Sequence, residues 1–169
     1  DRIVAGTFMI ACAMCGGDLF FEICNPRYLY SLTEKLSSMG TKIVNTSSGI
    51  RVISTKRCKS IGKIETQPYP GFPTDLQSQM TALFTVASGC SVMVENLFES
   101  RFKYAGELVK MGADITVKDR VAIVKGVKKL RGSDLSASDL RGGAALIISA
   151  LSAEGDSIVR NVRHVDRGY

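Results

Sequence analysis

The chain has 169 residues, 45% of them hydrophobic and 22% charged, which suits one domain with a substantial core. Its formal net charge of +6 favours anionic partners, but the sequence has no run of five or more basic residues. The charge therefore favours a focused anion site over a nucleic-acid-binding stripe, and no apolar run reaches the roughly 18 residues that would span a bilayer.

Apolar spacing predicts the elements of the first third of the chain. Gly16 and Gly17 end a nearly wholly apolar segment, for which Thr7 is a candidate helix cap. Farther on, Pro26 suits a helix start and Gly40 a helix end. In chain order we expect a buried helix over residues 7–15, a strand over 18–24, a helix over 26–39, and strands over 41–45 and 50–54.

The rest of the chain is organised around a proline-rich loop at residues 68–73, which holds three of the four prolines. Helices are expected over residues 75–88, 102–111 and 140–153. Strands are expected over residues 63–66, 91–95, 115–118, 121–125, 134–137 and 156–161.

Part of the sequence repeats at a fixed interval. Residues 34–43 return as 106–115, the same interval separates Gly17 from Gly89, and a weaker third copy ends at Gly155. A long period that contains both helix and strand indicates one supersecondary unit used several times. We expect a single α/β domain over residues 1–169, with helices inside and sheets outside. Its units would span about 1–56, 57–128 and 129–169, the third ending before its second helix.

The cysteines offer one pair with the spacing of a redox or zinc motif, Cys12 and Cys15. No second pair follows, and the single histidine, His164, lies far away in sequence. Both cysteines fall in an apolar helix, so we favour simple packing. Five cysteines, an odd number, mostly in apolar segments, indicate free thiols in a reducing compartment.

Asp75 stands between the proline-rich loop and a predicted helix. One interpretation is structural, because either Asp75 or Thr74 can cap the free N–H groups at the helix start. The other is catalytic, because a rigid loop with two aromatic residues is a good way to hold the carboxylate of a general base. The residues alone leave both interpretations open.

Arg101 and Arg141 also stand at predicted helix starts, where the helix dipole disfavours a cation. Their placement indicates an anionic ligand or an acidic partner, with a surface salt bridge as the alternative. Asp139 suits a helix cap. If the repeated units surround one axis, these residues and Asp75 gather on one face, which suits a phosphorylated or carboxylated ligand. No P-loop or Rossmann glycine pattern is present.

Five segments carry a more specific signal: residues 69–77 (YPGFPTDLQ), 98–102 (FESRF), 111–113 (MGA), 138–141 (SDLR) and 164–169 (HVDRGY). In this order and at these separations they resemble the enolpyruvyl transferase family, and within it the UDP-N-acetylglucosamine 1-carboxyvinyltransferases. The resemblance extends over the whole chain. It implies an inside-out α/β barrel fold, in which each of two similar domains contains three βαβαββ units around buried helices. This agrees with the internal repeat.

The resemblance also implies a reaction, the transfer of the enolpyruvyl group of phosphoenolpyruvate to the 3′-hydroxyl of UDP-N-acetylglucosamine with release of phosphate. This is the first committed step of peptidoglycan synthesis, a cytoplasmic reaction that uses no metal or cofactor. Asp75 would contact the sugar hydroxyl as the base, the backbone of Leu97 would hold the nucleotide sugar, and Arg167 would lie on the phosphoenolpyruvate side. The implied substrate-binding residues are Asp75, Leu97, Arg101, Asp139, Arg141 and Arg167.

The chain departs from the family in lacking its other domain, which carries a mobile loop with a reactive cysteine and much of the uridine site. The start at Asp1, without an initiator methionine, also indicates a piece of a longer protein. We therefore expect this fragment to be inactive alone, with the second domain as its partner and with neither nucleic acid nor membrane.

Two other functions are weighed against this one. A 5-enolpyruvylshikimate-3-phosphate synthase shares the fold and the phosphoenolpyruvate chemistry, but the proline-rich loop and residues 164–169 favour the sugar-nucleotide enzyme. A basic RNA-binding module would need aromatic residues interleaved with basic ones on an exposed sheet. Most aromatic residues here fall in apolar segments, which disfavours that module.

Overall fold

A computed structural model describes residues 1–169 of the chain. Its helices are α1 (Arg2–Cys15), α2 (Tyr30–Ser38), α3 (Gln77–Val86), α4 (Ala105–Lys110) and α5 (Leu140–Ser152). Its strands are β1 (Gly17–Glu22), β2 (Lys42–Asn45), β3 (Gly49–Ser54), β4 (Gly62–Glu65), β5 (Cys90–Val94), β6 (Asp114–Lys118), β7 (Val121–Lys125), β8 (Asp134–Ser136) and β9 (Ile158–Arg160). Short 3-10 turns occupy Pro26–Leu29, Thr74–Leu76 and Val162–His164.

Three helices, α1, α3 and α5, contact one another at the centre of the molecule. Nine consecutive residues of α3, from Gln77 to Thr85, are buried, as expected for a helix that has neighbours on every side. The amino-terminal parts of α1 and α3 meet where Gln79 Nε2 donates to Thr7 Oγ1 at 3.0 Å. The opposite ends of all three helices line a common cavity. The three helices therefore run in the same direction.

The sheets cover these helices from outside. The strand orders are β1-β3-β2, β4-β5-β7-β6 and β8-β9. Helix α1 packs on β1 and β3, α3 on β5 and β7, and α5 on β9. The predicted arrangement, with apolar helices inside and sheets outside, is confirmed.

The internal repeat extends to the register of the strands. Ile53 of β3 lies opposite Asp18 of β1. Lys125 of β7 lies opposite Cys90 of β5, and these two residues follow Ile53 and Asp18 by the interval of the sequence repeat. The elements from β4 to β7 follow one another in the βαβαββ order predicted for a unit.

Some predicted helix starts are wrong. Helix α1 begins at Arg2, and its cap is Asp1, whose Oδ1 accepts from the N–H groups of Ile3 and Val4 at 2.6 and 3.0 Å. Thr7 is instead buried within the helix. Helix α4 begins at Ala105, because residues 101–104 form a turn.

A guanidinium group binds the carboxyl-terminal end of α3 and joins it to the segment after β7. Arg57 donates from Nε to the carbonyl of Val86 at 2.6 Å, and from Nη2 to those of Ala87 and Val127 at 3.1 and 2.7 Å. Carbonyls at a helix end lack partners within the helix and carry partial negative charge. The cavity at this end is also lined by Lys56, Lys128 and Lys129.

The two cysteines of the spaced pair have different environments. Cys12 is buried, its thiol lies 3.5 Å from the carbonyl oxygen of Val52, and burial raises its pKa. Both cysteines lie in α1, as predicted, but Cys15 is its last residue and is exposed, so simple packing holds only for Cys12. None of the helices combines the length and the hydropathy needed to cross a membrane.

Candidate functional site

An open groove of about 480 Å³ lies where α5 begins and where the turn that leads into α3 begins. It contains Asp75, Arg101, Asp139 and Arg141, four of the six residues that the sequence singled out. The groove is lined by Asp75, Glu99, Ser100, Arg101, Lys103, Ser138, Asp139, Leu140 and Arg141. These residues come from three separate segments of the chain, so the groove is a product of the fold.

Asp75 lies in the 3-10 turn that precedes α3. The loop before it is closed by a hydrogen bond from the N–H of Gln67 to the carbonyl of Phe72 at 2.9 Å, and the side chain of Leu76 after it is fully buried. No side chain caps this helix start, so the capping interpretation of Asp75 is wrong. Its Oδ1 accepts instead from Arg141 Nε at 3.2 Å.

Arg141 is the second residue of α5, and its side chain is only 18% exposed. Besides the bond to Asp75, its Nη1 donates to the hydroxyl of Tyr169 at 3.2 Å, and its guanidinium carbon lies 5.7 Å from the centre of that ring. These contacts hold the guanidinium plane, which is suited to bidentate recognition of a carboxylate or phosphate.

Asp139 is the cap of α5, as its position in the sequence suggested. Its Oδ1 accepts from the N–H of Gly142 at 2.8 Å, and Ser138 Oγ donates to its Oδ2 at 3.2 Å. This carboxylate therefore already has a structural task at the edge of the groove.

Arg101 lies in the turn before α4, with its guanidinium carbon 4.4 Å from the centre of the Phe98 ring. Because α4 begins only at Ala105, the expectation that Arg101 stands at a helix start is wrong. Neither Arg101 nor its groove neighbour Lys103 forms a salt bridge, whereas Glu99 pairs with Arg120 at 3.1 Å. The groove thus holds two cations that no protein carboxylate neutralises.

Leu97 and Arg167 do not line this groove. The N–H of Leu97 donates to the carboxylate of Glu95 at 2.9 Å, which leaves only its carbonyl for a ligand. Arg167 is exposed, close in sequence to Val165, whose side chain is buried.

A buried phenol lies beneath the groove. Tyr104 is 1% exposed, its hydroxyl donates to Gln77 Oε1 at 3.1 Å, and burial raises its pKa. Its Cβ also faces Gly142 at the start of α5, so that a Cβ on that glycine would lie 3.2 Å away. The absence of a side chain at Gly142 lets the start of α5 approach the turn before α4 closely.

Sequence reasoning missed two residues. Lys103 was not distinguished from the other exposed lysines, because nothing in its local pattern marks it. Glu95 is only 1% exposed, although it is an acid at the end of an apolar strand. A charged residue in that place is rare enough to be a signal, since buried carboxylates must be hydrogen-bonded.

Comparison with known proteins assigns the chain to a family. Residues 1–169 match the family model of EPSP synthase (3-phosphoshikimate 1-carboxyvinyltransferase). The chain belongs to this enolpyruvyl transferase family. The inside-out α/β fold of these enzymes, predicted from the sequence, is therefore the fold of this chain.

Individual members of the family match the chain from end to end. The UDP-N-acetylglucosamine 1-carboxyvinyltransferase of Clostridium botulinum is 48% identical to it over 169 residues, which are 100% of this chain and 40% of that protein. A protein of the same name from Desulfofundulus thermocisternus is 49% identical, with coverage of 100% and 69%.

A solved structure agrees with these sequence matches. The enolpyruvyl transferase NikO from Streptomyces tendae superposes with a TM-score of 0.86 at 28% identity, over 100% of this chain and 40% of that one. The chain thus spans less than half the length of both NikO and the Clostridium botulinum enzyme.

Proposed function

We propose that the chain is part of an enzyme that transfers the enolpyruvyl group of phosphoenolpyruvate to the 3′-hydroxyl of UDP-N-acetylglucosamine. The observation that carries this proposal is the groove that brings the carboxylate of Asp75 together with two unpaired cations, Arg101 and Lys103. The chain that forms it is 48% identical to a protein named UDP-N-acetylglucosamine 1-carboxyvinyltransferase. The reaction releases phosphate and opens peptidoglycan synthesis, so we place the protein in the cytoplasm.

Asp75 acts as the base in this proposal. One of its oxygens is held by Arg141, and its other oxygen has no hydrogen-bond donor from the protein. That oxygen is free to take the proton of the sugar hydroxyl as the hydroxyl attacks. Because the carboxylate is fixed at a helix start and is not used as a cap, little reorganisation is needed when the substrate binds.

Arg101 and Arg141 supply positive charge for the phosphate and carboxylate of the substrates. Both reacting partners are anionic, and a guanidinium offers paired donors to either group. The free cation Lys103 adds to this field at the groove wall. No metal ion or cofactor is needed in this scheme, since the guanidiniums offset the charge that develops on the leaving phosphate.

The remaining site residues are assigned by position. Leu97 contributes its carbonyl to the nucleotide sugar, because its N–H is already engaged. Asp139 borders the acceptor site while it caps α5. Arg167 is exposed beyond the third 3-10 turn and lies on the phosphoenolpyruvate side of the cleft in this proposal.

We propose that residues 1–169 form one domain of units 1–56, 57–128 and 129–169, and that a second domain of the same protein completes the cleft. The length of the Clostridium botulinum relative supports this, as the chain covers 40% of it. The groove is open, so the chain alone cannot enclose a substrate and exclude water from it. We therefore expect no turnover by the isolated chain, and no nucleic acid or membrane as a partner.

The test is turnover by the complete protein that contains this chain. Release of phosphate from phosphoenolpyruvate should require UDP-N-acetylglucosamine and should not occur with shikimate 3-phosphate. Activity with shikimate 3-phosphate alone would assign the protein to the other branch of the family. Turnover by the isolated 169-residue chain would contradict the need for a second domain.

A further inference from the structure

Glu95 connects the parts of the molecule that carry the proposed site. Its Oε1 accepts from Thr66 Oγ1 at 2.9 Å and from the N–H groups of Leu97 and Phe98 at 2.9 and 3.1 Å. Its Oε2 accepts from Thr74 Oγ1 at 2.8 Å. One buried carboxylate therefore joins the end of β4, the turn after β5 and the residue next to Asp75.

This carboxylate occurs in only one of the three repeat units. Ile23 in the first unit and Asn161 in the third stand at the positions equivalent to Glu95, as the strand pairings and the bridges Lys59–Ser88 and Arg131–Glu154 place them. Ile23 has no polar side chain, and Asn161 is exposed and carries a neutral amide. A residue needed only to end a strand would not require a buried acid in one unit alone.

The same unit contains extra chain. An isolated bridge pairs Lys59 with Ser88, and its counterpart in the third unit pairs Arg131 with Glu154. The span from 59 to 88 is longer by six positions than the span from 131 to 154. The second unit therefore has additional chain between its first strand and the end of its helix.

These additional residues are 67–72, directly between Thr66 and Pro73. Glu95 binds Thr66 before this insertion and Thr74 after it. It thus closes the insertion at its base, where the extra loop would otherwise leave the helix start free to shift.

We propose that Glu95 is a positioning residue for the transfer reaction, which holds the carboxylate of Asp75 and the carbonyl of Leu97 in register with one another. The inference rests on the proposed function for its kinetic consequence, but the geometric part stands on the hydrogen bonds alone. Glu95 does not line the groove, so it acts through the backbone of its neighbours and touches no substrate.

Substitutions at Thr74 test the hydrogen bond between Thr74 and Glu95 by itself. Thr74→Val has nearly the same shape but cannot donate to Glu95, whereas Thr74→Ser keeps the hydroxyl. In the complete enzyme we expect Thr74→Val to lower kcat about 10- to 100-fold, since a displacement on the order of 1 Å at a reacting group has such an effect. The KM for phosphoenolpyruvate should change less than about threefold, because Arg101 is not held by this bond. The Thr74→Ser variant should keep the kcat of the unsubstituted enzyme.

Substitutions at Glu95 test all of its hydrogen bonds together, to Thr74 on one oxygen and to Thr66, Leu97 and Phe98 on the other. In Glu95→Gln, the amide oxygen replaces Oε1 as the acceptor, and the amide nitrogen can donate to the Thr74 hydroxyl, which also accepts. We expect that variant to retain kcat within about threefold, whereas Glu95→Leu should lower kcat and raise the KM for UDP-N-acetylglucosamine together.

Crystal structures of the Thr74→Val and Thr74→Ser variants provide a readout that does not depend on turnover. In Thr74→Val the Asp75 carboxylate should leave its position 3.2 Å from Arg141 Nε, and in Thr74→Ser it should stay. An unmoved carboxylate together with an unchanged kcat, even with a lower Tm, would overturn the inference. If the unsubstituted enzyme does not use the two substrates, the proposed function fails, and the position of Asp75 still decides the role of Glu95.

Discussion

The starts of the three central helices occupy equivalent places in the repeat, but the acid at each start has a different role. The cap positions are Asp1 for α1, Pro73 for the 3-10 turn that leads into α3, and Asp139 for α5, one in each repeat unit. Asp1 and Asp139 both use their carboxylates to accept backbone N–H groups. At the second start the cap position is a proline, and the acid stands farther along the chain, at Asp75.

This difference separates two carboxylates that stabilise helices, Asp1 and Asp139, from one that is free for the reaction, Asp75. A capping carboxylate is committed to the free N–H groups of its helix and contributes about 1 kcal/mol to stability. Asp75 has no such commitment, and it faces the groove next to Arg141. The second unit thus has no side-chain cap at this helix start, and the carboxylate of Asp75 is available to a substrate.

The largest effect should come from removing the free carboxylate. Asp75→Asn keeps the shape of the side chain but cannot accept a proton, so we expect kcat of the complete enzyme to fall about 10²- to 10⁴-fold. Its stability should change by less than about 1 kcal/mol, as the ion pair with Arg141 is partly exposed. Phosphate release and thermal unfolding of the same preparation measure both. Loss of less than about threefold in kcat would exclude Asp75 as the base.

The next effect concerns the cations of the groove. Arg101→Ala should raise the KM for an anionic substrate about 10- to 100-fold, the range expected when a hydrogen bond to a charged group is lost. Steady-state kinetics at fixed salt measures this change. Lys118→Ala removes an exposed cation that lies outside the groove, and it is the matched control. Equal effects of the two substitutions would indicate a general effect of charge.

A smaller effect is expected at the capped helix start. Asp139→Ala should lower the free energy of unfolding by about 1 kcal/mol, whereas Asp139→Asn should restore most of that loss because asparagine also caps. Chemical denaturation of the purified protein measures both values. If the two variants were equally destabilised, the cap would not be the reason, and the contrast with Asp75 would lose its basis.

The smallest effect concerns the carboxylate that supports the third unit. Glu107 of α4 accepts from the N–H of Ser136 at 2.9 Å and pairs with Lys110. Burial raises its pKa, but these two partners outweigh burial and hold the pKa below its ordinary value of 4.5.

A carboxyl with a lowered pKa stabilises the fold above its ordinary pKa, and this contribution is lost as the pH falls through the lowered value. Glu107→Gln should therefore destabilise the protein by about 0.5 kcal/mol at pH 7. The difference from the unsubstituted protein should shrink below about pH 4.5. Urea unfolding over a pH series measures it, and a difference that persists unchanged at low pH would contradict this account.

Much of the fold could be predicted from local pattern, because the apolar helices and the long internal repeat are written directly in the chain. Helix starts were less predictable. A threonine such as Thr7 has the chemistry of a cap, but the helix begins at Arg2, and the Thr7 hydroxyl accepts from Gln79 instead. Likewise, Asp75 and Asp139 both looked like caps in sequence, and only the backbone distinguishes them.

The groove was predictable as a gathering of charged residues around one axis, but its pairings were not. Asp75 and Arg141 lie far apart in the chain, and nothing local indicates that they bind one another. The roles of Glu95 and Lys103 also depend on neighbours from distant segments. The positions of Leu97 and Arg167 relative to a ligand stay predictions.

The guanidinium of Arg57 has a consequence for the whole electric field of the molecule. Three parallel helices place like poles side by side, which is unfavourable unless opposite charge gathers there. At their carboxyl-terminal ends, Arg57 and nearby lysines meet this need within the protein. At the amino-terminal ends of α3 and α5, which border the groove, the poles are positive and favour an anion.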